Sequence, residues 1–581
     1  MSETATLSLH VSQLAMQGVG IAGVLGLVAL AGRGRARTRA GQQVSSKGAA
    51  APKPVMFIRR AVTKRRLARR LAQTTQQLHK CEPIGSKVPD GTDTRINALR
   101  SLERIAQDAV RHGAGHLHIR AMEALCAFVR EAAPAAKASD YPLPDWEPLG
   151  DTPTEDEKAH HLVLRDTRFA NLVNSNARDW AMNLTPPRKD IQLALRIIGR
   201  RTRDQCVAEA AVSSDRQTPG VSVFDTPCPE LEPCGAVAKN DIAHINQFQA
   251  DLRGWKDTLA AYRGYRPDLR DTNLQAADLS GLNLSGFRLD RARLEGAVMR
   301  EALLDGAILR GARMEGAELR NARLRGADLR RARLEGACLR NVEMQGADLR
   351  NTRLEWVNFQ YARLEGAEFH AAQMEVASFY KANLQGAVFF RAMMDSAVLY
   401  QSRLDGADMR EASLRWTNMR DSRLDGALLS SARLDGADLG AALLHGVDLF
   451  EARLDGAAFH RAQVCGVIFS KPDADGYTSV LETNFQQTLL TQVDLSLVPI
   501  NQSQIDQCLG DDSVILPERI RTPQHWTLST DADTLLQKWH QWRGAAALKR
   551  KDPENSGCDT PESAETRSLP DLSEAPHSDP L

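Results

Sequence analysis

Few side chains in this 581-residue sequence stand at spacings that could do chemistry. His116 and His118, in HGAGHLHI, are close enough to share a metal, but no Cys, Asp or Glu completes a ligand spacing around them, so no metal site is expected. The nine cysteines are scattered. Cys228 and Cys234 are the closest pair and no CxxC occurs, which argues against a zinc ribbon or a redox dithiol and for free thiols in a reducing compartment. No Ser/His/Asp or Cys/His set, phosphate-cradling loop or carboxylate pair converges, so no catalytic residue and no cofactor is assigned. The chain reads as non-enzymatic. Its most informative side chains are aromatic: Trp356, Tyr361, Tyr380, Phe390, Tyr400 and Trp416 stand where the surrounding pattern carries Arg, Gly or Asp. Large aromatics pointing outward in one region fit a partner-binding patch. Coverage by a loop or helix of the same chain is the alternative.

Those residues sit in an array that recurs every five positions. From Leu269 to Phe469 an apolar residue stands at each step of five, 41 in all, and a small one, usually Ala, lies two before it. On an α-helix a step of five turns about 500°, so the leucines would spiral around every face. On a strand the alanine and its leucine share a side, but the next leucine, an odd number of residues on, faces the other way. Burying every pair on one axis therefore demands a corner in each pentapeptide, and a chain cornered at constant intervals closes into a coil. Glycine follows the central residue by two in alternate repeats (Gly296, Gly306, Gly316), as a corner needing positive φ would ask. Arg293, Arg313, Arg333 and Arg353, with Glu295, Asp305, Glu315 and Glu335, are expected to form a solvated ion-pair ladder. Phe359, Phe369, Phe379 and Phe389 take central positions and belong to the core.

The strings ADLRR at Ala327 and ADLRN at Ala347 match the motif A(D/N)LXX, and the array resembles the pentapeptide-repeat family. The resemblance implies a mainly β fold, a right-handed quadrilateral β-helix with four repeats per coil, flanked here by α-helical segments. Forty-one repeats then make about ten coils and a rod about 50 Å long. Ala and Leu suffice to fill so narrow an interior, which agrees with an aromatic content of 5%.

Around the array the sequence divides into an amino-terminal anchor and basic segment (1–54), a helical module (55–201) with an internal linker (132–157), and a loop leading into the solenoid (202–264). The solenoid (265–470) is followed by an insertion with residual repeats (471–500), a carboxyl-terminal cap (501–545) and an acidic tail (546–581) read as disordered. The strings LERIAQD, ALCAFVRE and DIQLALRIIGRR resemble a helical module found before pentapeptide repeats in bacterial proteins, and a GD-SV-LP string with Trp526, Trp539 and Trp542 resembles a terminal element of such proteins. Each end of a β-helix exposes unpaired backbone that something must cover.

Leu14 to Ala31 is apolar and uncharged, near the lower limit for crossing a bilayer. No Lys or Arg precedes it, whereas Arg33, Arg35, Arg37 and Arg39 follow, which places the bulk of the chain on the cytoplasmic side of a bacterial membrane. A soluble cytoplasmic protein is the alternative. Gly18, Ala22 and Gly26 share a helix face that would suit self-association.

Net charge is +1, and between Arg266 and Ser470 acidic and basic residues number 28 each. Three functional classes follow. The first is a membrane-anchored scaffold that presents a rigid surface to a protein. The second, implied by the family, is protection of a type II topoisomerase by DNA mimicry, which requires a continuous acidic stripe. The third is a structural protein without a dedicated partner. Binding of nucleic acid is not expected, since the basic amino-terminal segment has no interleaved aromatics.

Overall fold

Every pentapeptide of the array makes the same turn. Leu274 accepts from the Ala277 N–H (3.1 Å), the second of the two residues between, Ala276, has φ 52°, and this pattern repeats along the rod. The computed structural model describes residues 54–79, 92–142, 154, 156–157, 160, 163–164, 177–211, 223–231, 241–471, 476–526 and 532–549. The chain divides into two units, residues 1–59 and 60–581, and of the first only the opening of the helix Pro54–His79 is described. Leu14 to Ala31 lies outside the described residues, as does the tail beyond Lys549. Among the described residues no helix is long and apolar enough to cross a membrane.

Coil closure is read from the backbone pairing. Asp268 bridges Arg288, Asn273 bridges Arg293, Asp278 bridges Val298 and Asn283 bridges Leu303, all parallel, and each register repeats at the same interval of twenty up the rod. Four sides per coil follow directly. Each side is a single bridged residue: the Arg293 N–H donates down to the Thr272 carbonyl (2.8 Å) and its carbonyl accepts from the Leu274 N–H (2.7 Å). Ala292, Leu294, Ala297 and Met299 are fully buried, as the pattern requires. The phenylalanines stack one coil apart, Phe359 on Phe379 at 5.0 Å and Phe369 on Phe389 at 4.9 Å.

The Asp or Asn of the motif has a mechanical role. One residue before the centre, its side chain accepts from the N–H two residues on, as Asp328 does from Arg330 (3.3 Å) and Asn358 from Gln360 (3.0 Å). This ties down the start of the corner.

The expected role of glycine needs correction. All the corners of the array have positive φ, and Arg291, Asn321 and Trp356 adopt it at 54°, 58° and 62°. Left-handed geometry is therefore not what confines glycine to alternate repeats.

The amino-terminal helices close the first coil. Three of its side donors would face nothing: the Asn273 N–H goes to the Ala133 carbonyl (2.7 Å), the Asp278 N–H to Gln192 Oε1 (3.1 Å) and the Asn283 N–H to the Gly199 carbonyl (2.8 Å). The helices Thr92–Arg111, Gly115–Ala132 and Lys189–Gly199 bury Leu99, Leu102, Leu125, Val129, Leu195 and Ile198 in one core with the solenoid leucines. Pro134, placed by sequence in a linker, bridges Thr272 instead.

Two helices occupy the stretch before the solenoid whose composition suggests loop. One, Arg203–Ala210, opens on a capping box of Thr202 and Gln205. The other, Asp241–Ala260, lies along the solenoid.

At the far end the chain leaves the coil after Phe469 and rejoins it six residues late, since Arg453 bridges Ser479 rather than a residue twenty on. A four-stranded parallel ladder of Leu443–His445, Gln463–Cys465, Leu489–Thr491 and Leu509–Gly510 carries one side to the end. There Gln504 Nε2 donates to the carbonyls of Val480 and Thr483, and the buried Trp539 donates to that of Gln487 (2.8 Å).

Candidate interaction surface

With four turns per coil, the solenoid has four corners, each a column built from the two residues of turns that recur every twenty positions. In chain order they are a glycine corner (Gly286, Gly306, Gly326 and onward), an arginine corner (Arg291, Arg310, Arg330, Arg350), a glutamate corner (Glu295, Glu315, Glu335, Glu355) and a tyrosine corner (Tyr361, Tyr380, Tyr400). The glycine and glutamate corners are diagonally opposed, as are the arginine and tyrosine corners.

The glycine corner is covered by the helix Asp241–Ala260. A Cβ at Gly326 would stand 2.8 Å from both Leu259 Cδ1 and Trp255 Cζ3, and the same track of absent side chains meets Leu252 at Gly346 and Gly366 and Ile245 at Gly386 and Gly406. Leu259, Leu252 and Ile245 are seven apart. Seven helical residues rise about 10.5 Å, close to two coils at about 4.8 Å each, so helix and solenoid stay in step. Close approach, rather than φ, is what glycine supplies. The apolar spacing Ile242, Ile245, Phe248, Leu252, Trp255, Leu259 was the signal available in the sequence.

The glutamate corner overturns the expected solvated ladder. Glu295, Glu315 and Glu335 are fully buried, and Arg293, Arg333 and Arg353 nearly so. Arg313 and Arg333 each join the acid of their own coil to that of a neighbour: Arg333 Nε lies 2.9 Å from Glu315 Oε1, and its Nη2 3.1 Å from Glu335 Oε1. Asp140 pairs with Arg293 (3.0 Å) and Arg313 (3.1 Å), and the short helix Ala177–Met182 lies over Gly296, Gly316 and Gly336. Burial, with Glu335 and Glu295 above and below, pushes the Glu315 carboxyl well above its ordinary range, and burial raises Glu295 despite Arg293. Periodicity shows which positions face away from the axis, but not what the rest of the chain lays over them.

The six candidate aromatics do not form one patch. Tyr361, Tyr380 and Tyr400 are contiguous: Tyr361 meets Tyr380 edge-on at 5.4 Å, and Tyr380 stacks on Tyr400 at 5.7 Å. Arg340 lies 5.3 Å over Tyr361 and Lys381 5.1 Å over Tyr380. Trp356 and Trp416 belong to the glutamate corner, three coils apart, and Trp416 is 61% exposed with Arg415 5.2 Å over its ring. Phe390 is on the arginine corner, diagonally across from the tyrosines, against His370 at 5.2 Å.

The histidine pair separates as well. His118, read as a solvated loop residue, is buried in the helix Gly115–Ala132 with Nε2 2.8 Å from Glu209 Oε1, whose other oxygen accepts from Arg201 (2.6 Å). Arg201 in turn reaches the Asn283 carbonyl (3.2 Å) and lies 4.6 Å over the Phe287 ring. Desolvation pushes the thiol of buried Cys126 up to about 11.

Matches to the family model for pentapeptide repeats run, overlapping, from residue 268 to residue 470. The rod is a pentapeptide-repeat solenoid. The family's repeats imply the right-handed sense of its coil. Among solved structures, HetL, a pentapeptide repeat protein involved in heterocyst differentiation regulation from the cyanobacterium Nostoc, is 29% identical over 40% of this chain and 93% of its own, with a TM-score of 0.23. QnrB1, a plasmid-mediated fluoroquinolone resistance protein, is 19% identical over 36% of this chain and 89% of its own, with a TM-score of 0.22. A pentapeptide repeat protein of the Arabidopsis thaliana thylakoid lumen is 20% identical over 31% of this chain and 84% of its own, at a TM-score of 0.08. No curated protein matches the chain.

Proposed function

We propose that this protein is a non-enzymatic scaffold whose pentapeptide-repeat solenoid offers its tyrosine corner to a protein partner. The contiguous Tyr361–Tyr380–Tyr400 column, with Arg340 and Lys381 over its rings, carries the reading. Tyrosine gives large contact area for few rotatable bonds, and Tyr and Arg are the residues on which interface energy concentrates. The coils beneath hold the rings at a fixed pitch. Proximity labelling from the repeat region, comparing the native chain with Tyr380→Ser/Tyr400→Ser, should remove a defined subset of labelled proteins. An unchanged set would reject the tyrosine corner as the interface.

Attachment to a bacterial cytoplasmic membrane through Leu14 to Ala31, with the solenoid in the cytoplasm, rests on the arginines that follow that stretch. Deleting the residues before Arg33 should move the protein to the soluble fraction. A full-length chain already soluble would favour the cytoplasmic alternative. The DNA-mimic reading gains no support, because the continuous column of acids from Glu295 to Asp395 is buried, and arginines flank its first coils.

A further inference from the structure

The arginine corner has a feature that the scaffold reading leaves unused. A groove of about 790 Å³ runs along it, lined by Arg291, Arg310, Arg330, Arg331, Arg350 and Arg391, with Gly311, Asn351 and His370 completing its walls and no carboxylate among the lining residues. Arg291 and Arg391 are five coils apart, so the groove is about 24 Å long.

These arginines are held in place. Asp328 grips Arg330 through Nε and Nη2 (2.9 and 2.8 Å), Asp348 grips Arg350 in the same way (2.8 and 2.6 Å), and Asp271 grips Arg291 (2.7 and 2.7 Å). A guanidinium fixed along one edge leaves donors on the other. The remaining edge is then preoriented, which lowers the ordering cost of binding an anion. Arg331, beside Arg330, is exposed and makes no ion pair among the described residues. At the far end of the groove His370 packs on Phe390, and Arg391 and Arg410 stand 5.0 and 5.9 Å over the Phe390 ring.

We propose that this groove binds a single-stranded nucleic acid, its phosphodiester backbone along the arginines and a base at Phe390 and His370. The length suits a few nucleotides of one strand, and an aromatic face at one end gives an unstacked base a place that a paired base would not use. Arginine tracks beside aromatic faces are the recurring design for sequence-tolerant binding of single strands. An acidic peptide would use the same guanidiniums but has no use for the aromatic pair.

The test is fluorescence anisotropy of a labelled 12-nucleotide oligo(dT) with the full chain across a salt series, repeated with Arg310→Gln/Arg331→Asn and with Phe390→Leu. Both arginine changes spare the fold: Asp328 keeps Arg330, and asparagine already occupies the left-handed turn position at Asn321 and Asn341. The basic segment between Arg33 and Arg70 will attract any polyanion, so the readout is the difference between native chain and variant. The double variant should bind about tenfold more weakly and flatten the slope of log Kd against log salt by about 0.7 per arginine removed. Phe390→Leu should weaken binding about fivefold. Equal affinity and slope for native chain and double variant would overturn the proposal. So would a polyglutamate peptide that displaces the oligonucleotide and loses affinity in the double variant but not in Phe390→Leu, an outcome that assigns the groove to acidic peptides.

Discussion

Two ladders of arginine and carboxylate climb this solenoid, and they have opposite characters. On the glutamate corner the arginine precedes the central apolar residue and the acid follows it, as in the ARLEG string ending at Gly296 and its counterparts one and two coils on. On the arginine corner the order is reversed, as in ADLRR at Ala327. A short Asp before the centre is bound to the turn N–H and stays near the backbone, so the following arginine folds onto it at the surface and keeps its other edge toward solvent. A Glu after the centre lies back over the side, between arginines of its own and neighbouring coils, and the Asp140 loop and the helix Ala177–Met182 pack over the first turns of that column. The same charges in the same solenoid thus make a buried structural zipper on one edge and a row of presented cations on another. Composition counts the charges. Order within the pentapeptide sets which way they lean, and what covers the column sets their burial: the side chains of Arg433 and Arg453, in the same order farther up the glutamate corner, are 42% and 54% exposed.

Substitutions can sharpen that contrast. Arg333→Ala on the glutamate corner leaves Glu315 and Glu335 buried without their shared partner and should cost about 3 kcal/mol, read as faster amide exchange in the coils from Met314 to Leu334. Loss of less than about 1 kcal/mol would show that the zipper is hydrated after all. A side chain at the glycine corner comes next: Gly326→Arg drives into Leu259 and Trp255, and should cost about 2 kcal/mol by releasing the helix Asp241–Ala260, seen as exchange in that helix alone. If the helix stays protected, close approach is not why glycine stands there.

Smaller effects test the electrostatics. Burial holds the Asp405 carboxyl at about 6, against the opposing pull of Arg423 and Arg403. The folded chain therefore keeps a proton that the unfolded chain releases from about pH 4, so this group's contribution is present below that pH and is lost as pH rises to about 6. Tm should decline across that window more steeply in the native chain than in Asp405→Asn, and equal slopes would refute the assignment. Last, Arg291→Ala breaks an exposed pair with Asp271 on the arginine corner and should cost less than about 0.5 kcal/mol by the same exchange measurement. A cost near that of Arg333→Ala would erase the distinction between the two edges.

Much was legible in the sequence because a solenoid is nearly one-dimensional. The buried Ala–Leu pairs, the phenylalanine stacks and the need to close each end all follow from a local period and from backbone groups that cannot be left unpaired. The six aromatics were legible as outward residues, but their grouping was not. The linear pattern places them within a few coils, whereas the step of five sends Tyr380 and Phe390 to opposite corners.

What the sequence determined by itself is therefore the coil: a small and a large apolar residue every five positions leave no other way to bury both, wherever else the chain goes. Only the tertiary structure decided the surface. The helix Asp241–Ala260 takes the glycine corner because seven of its residues match two coils in length, and the Asp140 loop and the helix Ala177–Met182 take the start of the glutamate corner. Which edges remain for partners depends on segments distant in sequence, and no local period encodes where those segments will land.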